Sequence, residues 1–108
     1  MTAGERREMP RARLTREQLI RFHSDLTARA RELMAKKNRD YGSESDTFRN
    51  FREFGRMGIL VRLGDKLSRL RTFVERGTLA VEDESAQDTV QDAINYLILL
   101  LAMDEEAK

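Results

Sequence analysis

The sequence predicts an all-α protein, a small bundle of three main helices and one short helix. Apolar residues recur at helical spacing in three long segments, and glycines and turn-forming residues separate these segments. The chain holds one proline and no cysteine, so disulfides and thiolate metal sites are excluded. The helices are expected near residues 15–37, 57–76 and 84–104, and the short helix within 46–54.

The 108 residues are expected to form a single domain at 14–108, preceded by a flexible basic arm at 1–13. The arm carries four arginines and two glutamates, a composition typical of a solvated segment. It has no apolar run of the kind found in a secretory signal. The apolar stretch Leu97–Ala102 is too short to span a membrane. These features, with the lack of cysteine, favour a cytoplasmic location without membrane contact.

The first helix has a clear predicted start and a predicted buried face. Thr15 and Gln18 have the spacing of a capping box. The helix is expected to end near Lys37, and the only histidine, His23, is expected to pack at the edge of the apolar face rather than act as a base or ligand. That face is expected to hold Leu19, Phe22, Leu26, Ala30 and Leu33.

The segment after the first helix is rich in aromatic residues interleaved with arginines. One interpretation is a loop that its phenylalanines attach to the core. The other is a lid that stacks on a base and binds phosphate through arginine. Phe48 and Phe51 are expected in the core, whereas Tyr41, Asn50 and Arg52 are open to either interpretation.

The second and third helices each carry an apolar stripe that is expected to face the core. Gly77 fits a left-handed helix end, and Asp83 or Ser85 fits the N-cap of the third helix. From Leu97 to Ala102 that helix is apolar on all sides, which predicts burial against another subunit and therefore a homo-oligomer, a dimer or larger. The stripes are Leu60, Leu63, Leu67, Leu70 and Val74, then Val90, Ile94, Leu97 and Leu101.

Carboxylates form a second stripe on the third helix. Glu84, Asp88 and Asp92 lie with Asn95 within roughly 80° of one another at about 100° per residue. Carboxylates at such spacing repel one another, and a bound cation would reverse the sign of that interaction. The alternative is a solvated face, with the first acids favoured only by their place near the helix N-terminus.

Charge is unevenly distributed along the chain. Residues 14–76 carry fifteen basic and nine acidic side chains, a net +6, whereas residues 77–108 carry one basic and eight acidic, a net −7. On the second helix Arg62, Asp65 and Arg69 lie on one side. A basic body that faces an acidic helix could hold a phosphate–metal ligand. The alternative is that the two halves simply attract each other.

Four motifs follow one another between about residues 30 and 103. They are Lys37-Asn38-x-Asp40-Tyr41-Gly42, Phe48-x-Asn50-Phe51, Val61-Arg62-Leu63-x-Asp65-Lys66-x-x-Arg69-Leu70 and Glu82-Asp83-Glu84-Ser85-x-x-Asp88-Thr89-x-x-Asp92-x-x-Asn95-Tyr96. This ordered set closely resembles the nucleotide modification associated domain of type 1, a family of phages and bacteria. Asp88-x-x-x-Asp92-x-x-x-Tyr96 also resembles the second metal-binding helix of the all-α, MazG-like nucleoside triphosphate pyrophosphohydrolases.

The resemblance implies a MazG-like bundle and Mg²⁺-dependent binding and pyrophosphohydrolysis of a nucleotide, with a deoxynucleoside triphosphate as the expected substrate. The setting would be phage nucleotide metabolism or DNA base modification in a bacterial or phage-infected cell. Mg²⁺ takes oxygen ligands, and arginine and lysine neutralise phosphate. The residues expected to act are Asp65 and Asp88 in catalysis, Asp65, Glu84, Asp88 and Asp92 as metal ligands, Lys37, Arg62, Lys66 and Arg69 at phosphate, and Tyr41, Asn50, Asn95 and Tyr96 at the nucleoside.

Two other functions remain open from the sequence. The second helix offers a single acid, Asp65, where the pyrophosphohydrolases carry paired glutamates. A non-catalytic nucleotide-binding or accessory module that acts with a partner enzyme is therefore the second hypothesis. An oligomeric interaction protein is the third. Direct DNA binding is not expected, since no helix carries an uninterrupted basic face.

Overall fold

The computed structural model describes residues 12–41, 46–77 and 85–107, without the side chains of Asp40, Tyr41 and Ala107. These residues form three α-helices, which are α1 (Arg16–Tyr41), α2 (Gly55–Arg76) and α3 (Ala86–Ala107), and a 3₁₀ helix at Arg49–Phe51. The described residues contain no strand, so the predicted all-α class is confirmed. Among them, no helix combines the length and apolar character that crossing a membrane requires. Most of the predicted arm lies outside the described residues.

Helix α3 is the centre of the fold. It packs extensively on α2 and less extensively on α1. Two ion pairs join α2 to α3 in antiparallel order, Arg56 with Asp104 at 2.6 Å and Lys66 with Asp92 at 3.0 Å. On the other flank, the Asn95 side chain of α3 donates a hydrogen bond to the α1 backbone. Helices α1 and α2 therefore lie on two sides of α3, with a groove between them.

Side-chain and backbone caps fix the helix ends. In the predicted capping box of α1, the Thr15 amide donates to Gln18 Oε1 at 2.8 Å and the Gln18 amide donates to Thr15 Oγ1 at 3.1 Å. Ser85 is the N-cap of α3, since its hydroxyl accepts from the Asp88 amide at 3.0 Å. Gly77 ends α2 with a left-handed φ of 80°, as predicted for a glycine just after the last helical residue.

The helix boundaries differ from the sequence prediction by up to four residues. Helix α1 continues to Tyr41, four residues beyond the predicted end at Lys37. The Lys37 and Asn38 side chains both reach other parts of the chain, and these contacts hold the last turn. Helix α3 begins at Ala86 and runs to Ala107, where residue 104 was the predicted end. The predicted short helix is reduced to three residues of 3₁₀ helix.

The buried core is small and partly polar. Small side chains such as Ala30 and Ala93 let the helices approach closely, and their presence at the centre limits the apolar area removed from water. Phe48 is buried as predicted, and Phe51 is half-buried. The buried residues are Ala30, Phe48, Ile59, Leu63, Thr89, Gln91, Ala93 and Asn95.

Much of each predicted apolar face is exposed, so this part of the prediction is wrong for the single chain. His23 is also exposed rather than packed at the edge of a buried face. Helical spacing identified residues that share a face, but the helices contact one another along only one edge of each face. The exposed residues that were predicted to be buried are Leu19, Phe22, Leu60, Leu67, Val74, Leu97 and Leu101.

Asp88 makes a capping contact at the start of α3. Its carboxylate accepts a hydrogen bond from the Ser85 amide at 3.3 Å, which completes a capping box at the start of α3. Asp88→Ala should lower the free energy of unfolding by about 1 kcal/mol, as loss of a cap does. Urea unfolding measures this change.

Asp88→Glu is the matched control, because glutamate at this position of a capping box can still reach the N-cap amide. It should retain most of the stability. If Asp88→Ala were instead as stable as the parent or more stable, the carboxylate would be a repelled group without a capping role.

Candidate functional site

A cavity of about 290 Å³ lies in the groove between α1, α2 and the polar side of α3. The 3₁₀ segment forms its remaining wall. The cavity brings together six of the predicted site residues from segments that are far apart in sequence. Its lining consists of Met34, Lys37, Asn38, Asn50, Phe51, Arg62, Asp92, Asn95, Tyr96 and Leu99.

Asp92 is the charged centre of this site. Its Oδ1 lies 3.2 Å from Lys37 Nζ of α1, and its Oδ2 lies 3.0 Å from Lys66 Nζ of α2. The side chains of Asp92 and Lys66 are each only 14% exposed, so water screens this pair weakly. Each carboxylate oxygen is therefore neutralised by a lysine from a different helix. Asp92, predicted as a metal ligand, is here the acceptor of a two-lysine bridge.

Asn95 positions α1 against α3. Its Nδ2 donates a hydrogen bond of 2.9 Å to the Ala30 carbonyl oxygen, and the residue is buried. A buried amide without such a partner would cost free energy, so this bond favours one alignment of the two helices. Tyr96, the next residue, is half-buried and lines the cavity. The two predicted nucleoside-contacting residues of α3 thus both border the cavity, and the amide group of Asn95 is already engaged.

Arg62 supplies a cation at the edge of the cavity. Its guanidinium carbon lies 5.4 Å from the centre of the Phe51 ring, within the range of a cation–π contact. The side chain is exposed, and it forms no ion pair with a carboxylate in the described parts of the chain. The guanidinium therefore retains its hydrogen-bond donors for a further group, while the ring restricts where it lies.

Residues 46–54 form one wall of the cavity, and ionic contacts hold this wall in place. The Asp46 carboxylate accepts hydrogen bonds from two nitrogens of Arg52, at 3.0 and 3.2 Å from Nε and at 2.7 Å from Nη2. Arg52 Nη2 also donates to Glu106 near the end of α3 at 2.6 Å. From α1, the Asn38 amide donates to the Thr47 carbonyl oxygen at 2.8 Å. This wall is therefore joined to both α1 and α3.

Other predicted site residues lie elsewhere or outside the described part of the chain. Asp65 is largely exposed and pairs with Arg69 at 3.4 Å, and neither lines the cavity. Asp88 caps α3. Glu84 and the Tyr41 side chain lie outside the described residues. Within residues 12–41, 46–77 and 85–107, no three histidines or acids are grouped as metal ligands. The Mg²⁺ site stays a prediction.

Sequence reasoning did not assign a binding role to four of the lining residues. Met34, Phe51 and Leu99 have apolar side chains, and the pattern placed Phe51 in the core. Asn38 stands within the first of the four motifs, beside Lys37, so its position in that motif was the available signal. Arg52 was considered for phosphate contact, whereas the structure engages it with Asp46 and Glu106.

The contact of Asp46 with Arg52 leads to a prediction about ionisation. Hydrogen bonds from the Arg52 guanidinium hold the pKa of the Asp46 carboxyl below its usual value. The stabilisation from this pair is therefore present above the ordinary pKa of the carboxyl, and it is lost as the pH falls through the lowered pKa. Arg52→Gln should raise the pKa of Asp46 toward its usual value, which an NMR titration of the side-chain carboxyl carbon would measure.

Arg49→Gln is the control for this titration, because Arg49 acts on Asp46 only through weaker Coulomb attraction. Its effect on the pKa of Asp46 should be the smaller of the two. Equal shifts in both variants would contradict a specific bond between Arg52 and Asp46.

A further prediction concerns the two-lysine bridge. Asp92→Asn removes the negative charge that Lys37 and Lys66 share, and it leaves Lys66 as a poorly exposed cation. The free energy of unfolding should fall by about 1–3 kcal/mol, the range for hydrogen bonds to charged groups. Chemical denaturation of the purified variant gives this value.

Asp104→Asn is the matched control on the same helix. Its ion pair with Arg56 is much more exposed, so the loss should be below about 1 kcal/mol. If Asp92→Asn were neutral or stabilising, the carboxylate would be under net repulsion, as in an empty metal site.

Comparisons with known proteins do not identify a family for this chain. No family model, curated protein or solved structure matches it.

Proposed function

We propose that the cavity binds a nucleotide, with the phosphate groups at Lys37, Lys66 and Arg62. The observation that carries this proposal is the pair of lysines, Lys37 of α1 and Lys66 of α2, that share the single carboxylate of Asp92, with Arg62 on the wall of the same cavity. The site therefore has an excess of positive charge inside a partly enclosed groove. Lysine and arginine in such a setting attract and hold phosphate.

The remaining lining residues suit the nucleoside. Phe51 and Tyr96 offer aromatic surfaces, and Asn50 offers an amide whose oxygen accepts and whose nitrogen donates hydrogen bonds. The volume lies near the lower end of the range of about 300–1,000 Å³ for ligand pockets. A nucleoside with its first phosphate fits this size, and further phosphates would extend toward the exposed Arg62.

Binding is better supported than hydrolysis. Mg²⁺-dependent pyrophosphohydrolysis would require Asp65, Glu84 and Asp88, in addition to Asp92, as metal ligands or catalytic groups. Asp65 is paired with Arg69, and Asp88 caps α3. Among the described residues, Asp92 is the acid that lines the cavity. A nucleotide-binding or accessory module is therefore the function that we place first. Mg²⁺-dependent hydrolysis of a deoxynucleoside triphosphate is the second, and Asp92 is the residue that favours it.

Phosphate and Mg²⁺ are expected to bind together rather than separately. A phosphate that attracts Lys37 and Lys66 weakens their hold on the Asp92 carboxylate. The carboxylate oxygens then regain the capacity to accept Mg²⁺, for which they are suitable ligands. Both the binding and the hydrolytic function thus predict a stronger response to nucleotide when Mg²⁺ is present.

The chain is further proposed to act as a homo-oligomer in the cytoplasm, as the sequence predicts. A link to phage nucleotide metabolism or base modification is part of the same hypothesis and follows from the resemblance alone. The surface that would join the copies is separate from the cavity.

Thermal-shift measurements with nucleoside mono-, di- and triphosphates, with and without Mg²⁺, test the proposal. A nucleotide that binds the folded state should raise the melting temperature. Arg62→Ala should weaken that nucleotide about tenfold, because it removes a charge-assisted hydrogen bond to phosphate. Product analysis after incubation with Mg²⁺ separates binding from hydrolysis.

Arg71→Ala is the matched control, since Arg71 lies on the same helix and does not line the cavity. It should leave nucleotide affinity unchanged. The proposal is rejected if no nucleotide shifts the melting temperature, or if the two arginine variants lose affinity equally. Release of pyrophosphate would show hydrolysis and would make it the favoured function.

A further inference from the structure

An open apolar surface lies on the side of the α2–α3 hairpin opposite the cavity. We call this surface the apolar stripe and define it as Leu60, Leu67, Val74, Leu97, Ile98 and Leu101. The exposed fraction is 54% for Leu67 and 71% for Leu101, and each of the six is at least 43% exposed. Exposed apolar patches of this kind mark interaction sites on proteins.

Helix geometry places the stripe on one side. On α2, the cavity-lining Arg62 and the stripe residue Leu60 lie about 160° apart around the helix axis, with the buried Ile59 between them. On α3, Asp92 and Leu101 lie about 180° apart. Because α2 and α3 are antiparallel neighbours, the cavity-lining residues of both helices lie on one side of their contact, and the stripe residues of both lie on the other. The stripe residues of both helices therefore form one continuous surface, away from the cavity.

The stripe has the spacing of a half-filled coiled-coil seam. Leu60, Leu67 and Val74 recur every seven residues, and Leu63 and Leu70 stand three residues after the first two. Leu63 is buried and Leu70 is half-buried against the hairpin, whereas the heptad partners remain exposed. In a coiled coil with this repeat, both the positions that recur every seven residues and those three residues later pack against facing helices. The exposed half thus fits a further helix.

We infer that a second copy of this chain covers the stripe, so that two α2–α3 hairpins form a four-helix bundle. The six side chains expose on the order of 600 Å², close to the share of about 800 Å² that each partner buries in a stable complex. A two-fold dimer buries the same surface on both copies, so one stripe is covered by the other.

Charge selects the arrangement of the two hairpins. Helix α2 carries six basic and two acidic residues, a net +4, whereas α3 carries five acidic and no basic residues, a net −5. Contact of α2 with α2 would bring like charges together, and contact of α2 with the other copy's α3 brings opposite charges together. The dimer therefore pairs α2 of each copy with α3 of the other.

The ion pairs within one chain give the register of this contact. Arg56 lies level with Asp104, and Lys66 lies level with Asp92, so Leu60 lies level with the turn between Leu97 and Leu101. A two-fold axis parallel to the helices preserves these levels. Leu60 of one copy should therefore face Leu97 and Leu101 of the other.

Sedimentation of the full chain as a function of concentration tests the dimer. The parent should have twice the chain mass of 12.6 kDa. Leu67→Lys and Leu101→Lys should each raise the dissociation constant about 100-fold or more, because a lysine would be buried without a partner. Both residues are exposed in the single chain, so circular dichroism should show unchanged helix content.

Val61→Lys is the matched control. Val61 is 68% exposed on the same helix, about 120° away from Leu67, beside the exposed Phe54 and Met57. It should leave the dimer intact. A parent that remains a monomer at every concentration would overturn the inference, and so would a dimer that Val61→Lys disrupts and Leu67→Lys does not.

Cysteine cross-linking tests the pairing of helices, since the chain has no cysteine of its own. Oxidation of a mixture of Leu60→Cys and Leu101→Cys chains should give the mixed disulfide as the main product. Facing positions can approach to the Cα separation of about 4.4–6.8 Å that a disulfide needs, and diagonal positions cannot. Two joined Leu60→Cys chains as the main product, or no mixed product, would reject the pairing of α2 with α3.

Discussion

The two-lysine bridge at Asp92 is the interaction on which the site depends. Lys37 and Lys66 come from helices that pack on opposite flanks of α3, and their like charges oppose any groove that brings them close. A carboxylate with one oxygen for each lysine reverses that repulsion. The side chains of Asp92 and Lys66 are each 14% exposed, so their attraction is stronger than that of an ion pair at an open surface. The same bridge therefore aligns three helices and leaves an excess of cationic groups around one cavity.

Helix α3 serves two surfaces that differ in polarity. One side presents Asp92, Asn95 and Tyr96 to the groove, and the other presents Leu97 and Leu101 to solvent in the single chain. An apolar helix side of this kind is normally buried against a partner. The groove side is satisfied within the chain by hydrogen bonds and ion pairs. The apolar side has no such partner among the described residues, which is why a small core occurs together with many exposed large apolar side chains.

The sequence was informative where a local rule decides the structure. The box at Thr15 and the glycine end at Gly77 depend on neighbouring residues, and both appear as predicted. Periodicity showed which residues share a face, but it carries no information on what that face meets. Leu67 and Leu101 were therefore assigned to a core that one chain does not provide. Asp88 and Asp92 looked equivalent on the acidic stripe, yet one lies in the first turn and caps it.

In the proposed function, charge balance at the cavity would link binding of a phosphate group to binding of a metal ion. A divalent cation alone would have to displace two lysines from Asp92, and it would add positive charge to a site that already has an excess. A phosphate alone would draw the lysines away and leave the carboxylate without its partners, which is costly at low exposure. Together, the anion would satisfy the lysines and the cation would satisfy the carboxylate. In the proposed function, each ligand would therefore raise the affinity for the other by the same factor, and neither would occupy the site well by itself.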